Sequence, residues 1–108
     1  MNEQGWGLRA EEIDGIRSVL AAHPKVIKAL VYGSRALGTH RSGSDIDLTL
    51  IGEMDWSELQ LIETELDNLD LPYTIDLSLE SQIENKALRE HIKNHGQPLY
   101  QQAVVGNR

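Results

Sequence analysis

Gly33-Ser34-Arg35-Ala36-Leu37-Gly38-Thr39-His40-Arg41-Ser42-Gly43-Ser44-Asp45-Ile46-Asp47-Leu48 is the stretch on which the fold turns. It begins where an apolar, β-branched run, Val26 to Tyr32, stops at a Gly-Ser pair. It ends where Asp45 to Ile51 alternates, with Asp45, Asp47 and Thr49 on one side and Ile46, Leu48 and Leu50 on the other. Period-2 alternation marks a strand with one face on the core and one open. Gly33 to Ser44 reads as the loop between two strands, with one helical turn starting at Ser34 and with glycines at 33, 38 and 43 to allow tight backbone paths. So short a connection favours antiparallel pairing.

The flanking segments complete an α/β pattern. Leu8 to His23 reads as a helix from Ile13, Ile16 and Leu20, ended by Pro24. Gly52 closes the second strand, and Leu59, Ile62, Leu66 and Leu69 mark a second helix with Asp55 and Glu58 at its start and Pro72 beyond its end. Tyr73 to Leu79 alternates again, placing Thr74, Asp76 and Ser78 opposite Ile75, Leu77 and Leu79. Ser81 to His95 reads as the last helix, with Ser81 and Glu84 as a capping box, Gly96 as its C-terminal cap and Pro98 after it. The second strand, its helix and the third strand fit a parallel crossover. The expectation is a small mixed sheet with helices packed on one face. It forms one domain over residues 1–108, with its core at about 8–100 and a loose tail at 101–108.

Composition narrows the function. A chain of 108 residues accommodates one core and leaves no room for a large second domain to hold an acceptor. With no cysteine, thiol nucleophiles, zinc-thiolate sites and disulfides are excluded. With no Phe, the core must be built mainly from Leu, Ile and Val, and Trp6 and Trp56 read either as packing residues or as members of a partner-binding patch. The apolar runs are far shorter than a membrane span, and Met1 to Gly7 lacks the regions of a signal peptide. The expectation is therefore a cytoplasmic protein with no membrane partner. A net charge of −7 argues against broad nucleic-acid binding. Arg35 and Arg41 nevertheless make residues 33 to 44 locally basic, which suits a compact anion such as a nucleotide triphosphate.

The carboxylates carry the chemistry. Strand geometry sets Asp45 and Asp47 side by side, with Cα atoms roughly 7 Å apart. Asp disfavours strands, and like charges on one face repel unless a cation neutralises them. Hard oxygen ligands suit Mg²⁺, and two ions about 3.5–4 Å apart are the usual arrangement for in-line displacement at phosphorus. Asp76 has the same strand phase. If the third strand lies beside the second, Asp76 either helps hold the metal or accepts the proton of an attacking hydroxyl. Gly33 and Ser34 offer backbone N–H groups and a hydroxyl to phosphate oxygens. Arg35 and Arg41, and less strongly His40, are candidates to neutralise the triphosphate. His91 and His95 lie four apart near a helix C-terminus, where cations are favoured, and no third zinc ligand accompanies them.

Gly33-Ser34 followed by Asp45-Ile46-Asp47, with Asp76 on a later strand, resembles the nucleotidyltransferase superfamily typified by DNA polymerase beta. The likeness runs from the first helix through the last. In length and simplicity the chain resembles the minimal members, the MntA-type antitoxins paired with HEPN-domain toxins. The resemblance implies that Asp45, Asp47 and Asp76 hold Mg²⁺ and act on the acceptor, and that Gly33 and Ser34 grip the triphosphate of ATP. It implies transfer of AMP to a hydroxyl with release of pyrophosphate, the acceptor being a tyrosine of a partner toxin. Many relatives carry a basic residue where this chain has Leu37. Two other readings stand beside this one: a non-catalytic module that masks a toxin, and transfer to a small molecule of the aminoglycoside kind.

Overall fold

The computed structural model describes residues 5–103. Its elements are α1 (Ala10–Ala21), β1 (Lys28–Tyr32), α2 (Ser34–Leu37), β2 (Ile46–Ile51), α3 (Trp56–Asp67), β3 (Ile75–Leu79), a 3₁₀ turn (Glu80–Gln82), α4 (Lys86–His95) and β4 (Gln97–Gln101). The four strands form one mixed sheet in the order β3-β2-β1-β4. β1 pairs antiparallel with β2 and with β4, while β2 and β3 are parallel neighbours joined through α3. The alternation read from Asp45 to Ile51 sets the faces. Ile46, Leu48 and Leu50, with Ala29 and Val31 of β1, are fully buried on one side. Against them pack Ile13, Ile16 and Leu20 of α1 and Leu59, Ile62 and Leu66 of α3. α4 adds cover on the opposite side, where the His91 ring meets the Tyr32 ring edge-on at 6.2 Å.

The C-terminal third differs from its reading. The last helix begins at Lys86 rather than Ser81, and the side chain of Asn85 caps it by accepting the Leu88 N–H at 2.9 Å. Ser81 falls in the 3₁₀ turn that leaves β3. Arg89 holds this connection by donating to the carbonyls of Glu80 and Ile83 and pairing with the Glu80 carboxylate. Gly96 is not a left-handed cap. Its φ of −63° and ψ of 138° lead straight into β4. That strand escaped the pattern because its pairing slips between Ala29 and Leu30 of β1 and because Pro98 interrupts it. An edge strand tolerates both. Residue 101 is thus part of the sheet, and the expectation of a loose tail beyond 103 lies outside the described residues. Among those residues no helix is long and apolar enough to cross a membrane.

One buried polar cluster ties α1 to α3. His23, just past the end of α1, donates from Nδ1 to Glu58 at 2.7 Å and from Nε2 to Glu65 at 2.8 Å. Burial alone would lower its pKa, but the two carboxylates outweigh that and raise it above 6.5. The folded state therefore holds this proton more tightly than the unfolded chain does. The stabilisation is complete below about pH 6.5 and fades as pH climbs through the raised folded value. Chemical denaturation of wild type and His23→Gln across pH 5 to 9 is expected to show wild type losing its advantage on the alkaline side. A constant difference between the two would contradict this.

Candidate functional site

The site lies at one end of the open face of the sheet. In register, Tyr32 of β1 stands opposite Asp47 of β2, and Asp47 opposite Asp76 of β3. Paired residues of neighbouring strands project to the same side, and the strands lie about 4.8 Å apart. Asp47 and Asp76 therefore share a face, and Asp45, two residues before Asp47, has the same phase. Asp45 and Asp76 are exposed, whereas Asp47 is half-buried between them. Burial raises the pKa of the Asp47 carboxyl, and the charges of Asp76 and then Asp45 raise it further. Three acids thus share one face of the sheet, and the charges of the outer two bear on the half-buried one.

Further along the same face the row is polar but uncharged. The Ser78 hydroxyl donates to Thr49 Oγ1 at 2.9 Å, and Thr49 is fully buried. Burial raises the pKa of the Tyr32 phenol, a Ser78 hydrogen bond lowers it, and the charges of Asp47 and Asp76 raise it again. Tyr32 is therefore a neutral wall of the site.

The Gly-Ser bend closes over this row. Gly33 N-caps α2 with φ at 77° and ψ at −155°, in the region that favours glycine. A Cβ at this position would collide with Asp47 Oδ2. Glycine is thus required twice, for its backbone angles and for room beside the carboxylate. The Gly33 N–H points toward α4 and donates to His91 Nε2 at 2.9 Å. Ser34 opens α2 half-buried beside it. Gly38, left-handed at φ 76°, ends the turn.

The two arginines separate. Arg35 is buried, with 3% of its surface exposed. Its guanidinium donates to backbone carbonyls only: to that of Ser44 at 2.6 and 3.1 Å, of Asp45 at 3.3 Å and of Trp6 at 2.9 Å. It also stacks over the Tyr73 ring at 4.6 Å. The structure does not bring Arg35 to the carboxylate face. Arg35 braces the backbone that delivers Asp45 instead. Arg41 is exposed on the loop, where its own N–H donates to the Ser44 hydroxyl at 3.0 Å. His40 lines a small pocket with Gly7, Arg35, Ser42, Gly43 and Tyr73, away from the aspartates.

His91 is the residue whose place the sequence did not reveal. Its place near the end of a helix gave it no more than a favourable charge position, and only the fold carries α4 back over β1. The aspartates fit Mg²⁺ by donor chemistry and by the electrostatic strain on Asp47, which a cation would relieve. Among the described residues no three His, Asp or Glu side chains converge closely enough to hold a metal ion by themselves. Mg²⁺, which keeps waters and substrate phosphates in its shell, does not need them to.

The family model described as polymerase beta, nucleotidyltransferase matches residues 14–103. Several solved structures share the fold. The crystal structure of a toxin-antitoxin with AMP-PNP aligns with a TM-score of 0.66 at 22% identity, over 82% of this chain and 73% of that one. The toxin-antitoxin MntA-HepT aligns with a TM-score of 0.63 at 18% identity, over 86% and 73%. A complex of a tri-AMPylated Shewanella oneidensis HEPN toxin with MNT antitoxin aligns with a TM-score of 0.59 at 21% identity, over 84% and 71%. No curated protein sequence matches.

Proposed function

The chain belongs to the polymerase beta nucleotidyltransferase family, and from that premise we propose that it transfers AMP from ATP to a hydroxyl of a partner protein, a tyrosine of a HEPN-type toxin, and acts as the antitoxin. The observation that carries this reading is the alignment of Asp47 with Asp76 on adjacent parallel strands, with Asp45 beside them, beneath the Gly33-Ser34 bend. The solved structures of like fold support the choice of nucleotide and partner. One of them holds AMP-PNP, and another contains a toxin carrying AMP.

Asp45, Asp47 and Asp76 would hold Mg²⁺. When bound, the ions supply positive charge to the triphosphate and lower the pKa of the attacking hydroxyl. Gly33 and Ser34 hold phosphate oxygens through their N–H groups and the Ser34 hydroxyl, fixing the α-phosphorus over the aspartates. Asp76 lies on the edge strand and is exposed, so it faces the incoming acceptor. As the acceptor oxygen bonds to the α-phosphorus, the bond to pyrophosphate breaks and Asp76 takes the hydroxyl proton. The rate gain comes from holding the reactants in line and from neutralising charge. Arg41 stands free on the loop rim to meet the outer phosphates. The open face leaves the acceptor pocket to the partner.

The test is incubation with Mg²⁺, α-³²P-ATP and the proposed HEPN-type partner. Label is expected on a partner tyrosine, and the partner's toxicity should fall with it. Neutralisation of the partner without label would overturn transfer in favour of masking.

A further inference from the structure

The N–H group that the proposed function assigns to a phosphate oxygen is held in this structure by a side chain from α4. His91 Nε2 accepts the Gly33 N–H at 2.9 Å. An imidazole nitrogen that accepts carries no proton, so the ring's hydrogen is on Nδ1. Its lone pair occupies the position that a phosphate oxygen would need to take the same bond. The ring is held in place on several sides. Tyr32 meets it edge-on at 6.2 Å, His95 lies 5.2 Å away, and the adjacent Ile92 is buried and anchors α4. On the other flank of Gly33, the Asp47 carboxylate fills the space that a side chain at this position would need. Two acceptors cannot share this one donor at full strength.

We propose that His91 is the resident occupant of the triphosphate seat, and that a nucleoside triphosphate binds by displacing Nε2 from the Gly33 N–H. The inference rests on the function proposed above and adds a residue that tunes it. The exchange trades a neutral hydrogen bond for one to an anionic oxygen, which is the stronger kind. A ligand whose phosphates reach Gly33 must break the His91 bond. A nucleoside monophosphate, held only over the aspartates, need not. His91 thus sets a threshold specific to the outer phosphates.

The test is calorimetric titration of wild type, His91→Ala and His91→Gln with a non-hydrolysable ATP analogue and with AMP, each with Mg²⁺. His91→Ala is expected to bind the triphosphate analogue about five-fold more tightly, the worth of one neutral hydrogen bond, with AMP binding unchanged. His91→Gln, which keeps an acceptor, should stay near wild type. Equal or weaker binding of the analogue by His91→Ala, or equal tightening toward AMP, overturns the proposal. Imidazole ¹⁵N signals of the wild type provide a reading that needs no variant. Nε2 of His91 should lose its hydrogen-bonded shift when the analogue binds, and an unchanged signal in the bound protein overturns the proposal. If wild type binds no triphosphate, both this inference and the proposed function fall. If it binds and His91→Ala behaves otherwise than expected, this inference alone falls.

Discussion

Asp47→Asn is expected to lower AMP transfer by about a thousand-fold or more while making the nucleotide-free protein more stable. Both effects come from the same carboxylate. Asp47 is the half-buried member of the acidic row, and burial together with Asp76 and Asp45 holds its pKa above the usual carboxylate value. For a carboxyl raised in this way, the folded state carries a penalty at neutral pH. The penalty is relieved as pH falls through the raised value and is gone below the unfolded value near 3.8. The amide of Asn removes the charge at nearly the same shape. The variant should therefore melt at a higher temperature than wild type at pH 7, and the difference should close on acidification. In the transfer assay the same change removes the carboxylate proposed to be central to metal binding. Thermal melts at pH 7 and pH 4, read with labelled-ATP transfer, check both halves. A variant that is less stable and still active would show that Asp47 is an ordinary packing residue.

Arg35→Ala is expected to cost the fold about 3 kcal/mol, the scale of losing charge-assisted hydrogen bonds to buried carbonyls. At this chain length that lowers Tm by more than about 10 °C. The Ser44 and Trp6 carbonyls would lose their donor, and the Tyr73 ring would lose the cation stacked on it. Transfer should fall with stability, because the loop that Arg35 braces delivers Asp45. Arg35→Lys should recover only part of the loss, since one ammonium cannot reproduce a planar fork that spans two carbonyls and a ring. An Arg35 that served the triphosphate would behave differently, with unchanged melting and only a higher KM for ATP. Paired melting curves and ATP titrations separate the two roles.

These two residues also mark how far the sequence was legible. Alternation at Asp45, Asp47 and Asp76 placed three acids on open strand faces, and the parallel pairing of β2 with β3 followed from the helix between them. Those inferences use local periodicity and connection length, which a sequence contains. Arg35 was out of reach for the opposite reason. A basic residue in a glycine-rich loop reads as exposed, and only the packed chain brings Trp6 and Tyr73 around it. His91 lies 58 residues from the Gly33 that it contacts, and no spacing rule links them. β4 failed as a strand signal because Pro98 and a slipped register erase alternation at a sheet edge. Ahead of the helix before it, Ser81 and Glu84 match a capping-box pattern, but the chain first turns away from β3 there and Asn85 caps α4 instead.

The central claim is that Asp45, Asp47 and Asp76 together hold divalent cations beneath the Gly33-Ser34 bend. Mn²⁺ is a paramagnetic substitute for Mg²⁺, and side-chain carboxyl ¹³C spectra recorded with Mn²⁺ and a non-hydrolysable ATP analogue report on this directly. The carboxyl signals of Asp45, Asp47 and Asp76 are expected to broaden first and together at substoichiometric metal, while those of Glu58 and Glu65 beside His23 stay sharp. Asp76 remaining sharp while the other two broaden, or broadening centred on other acids, would contradict the claim.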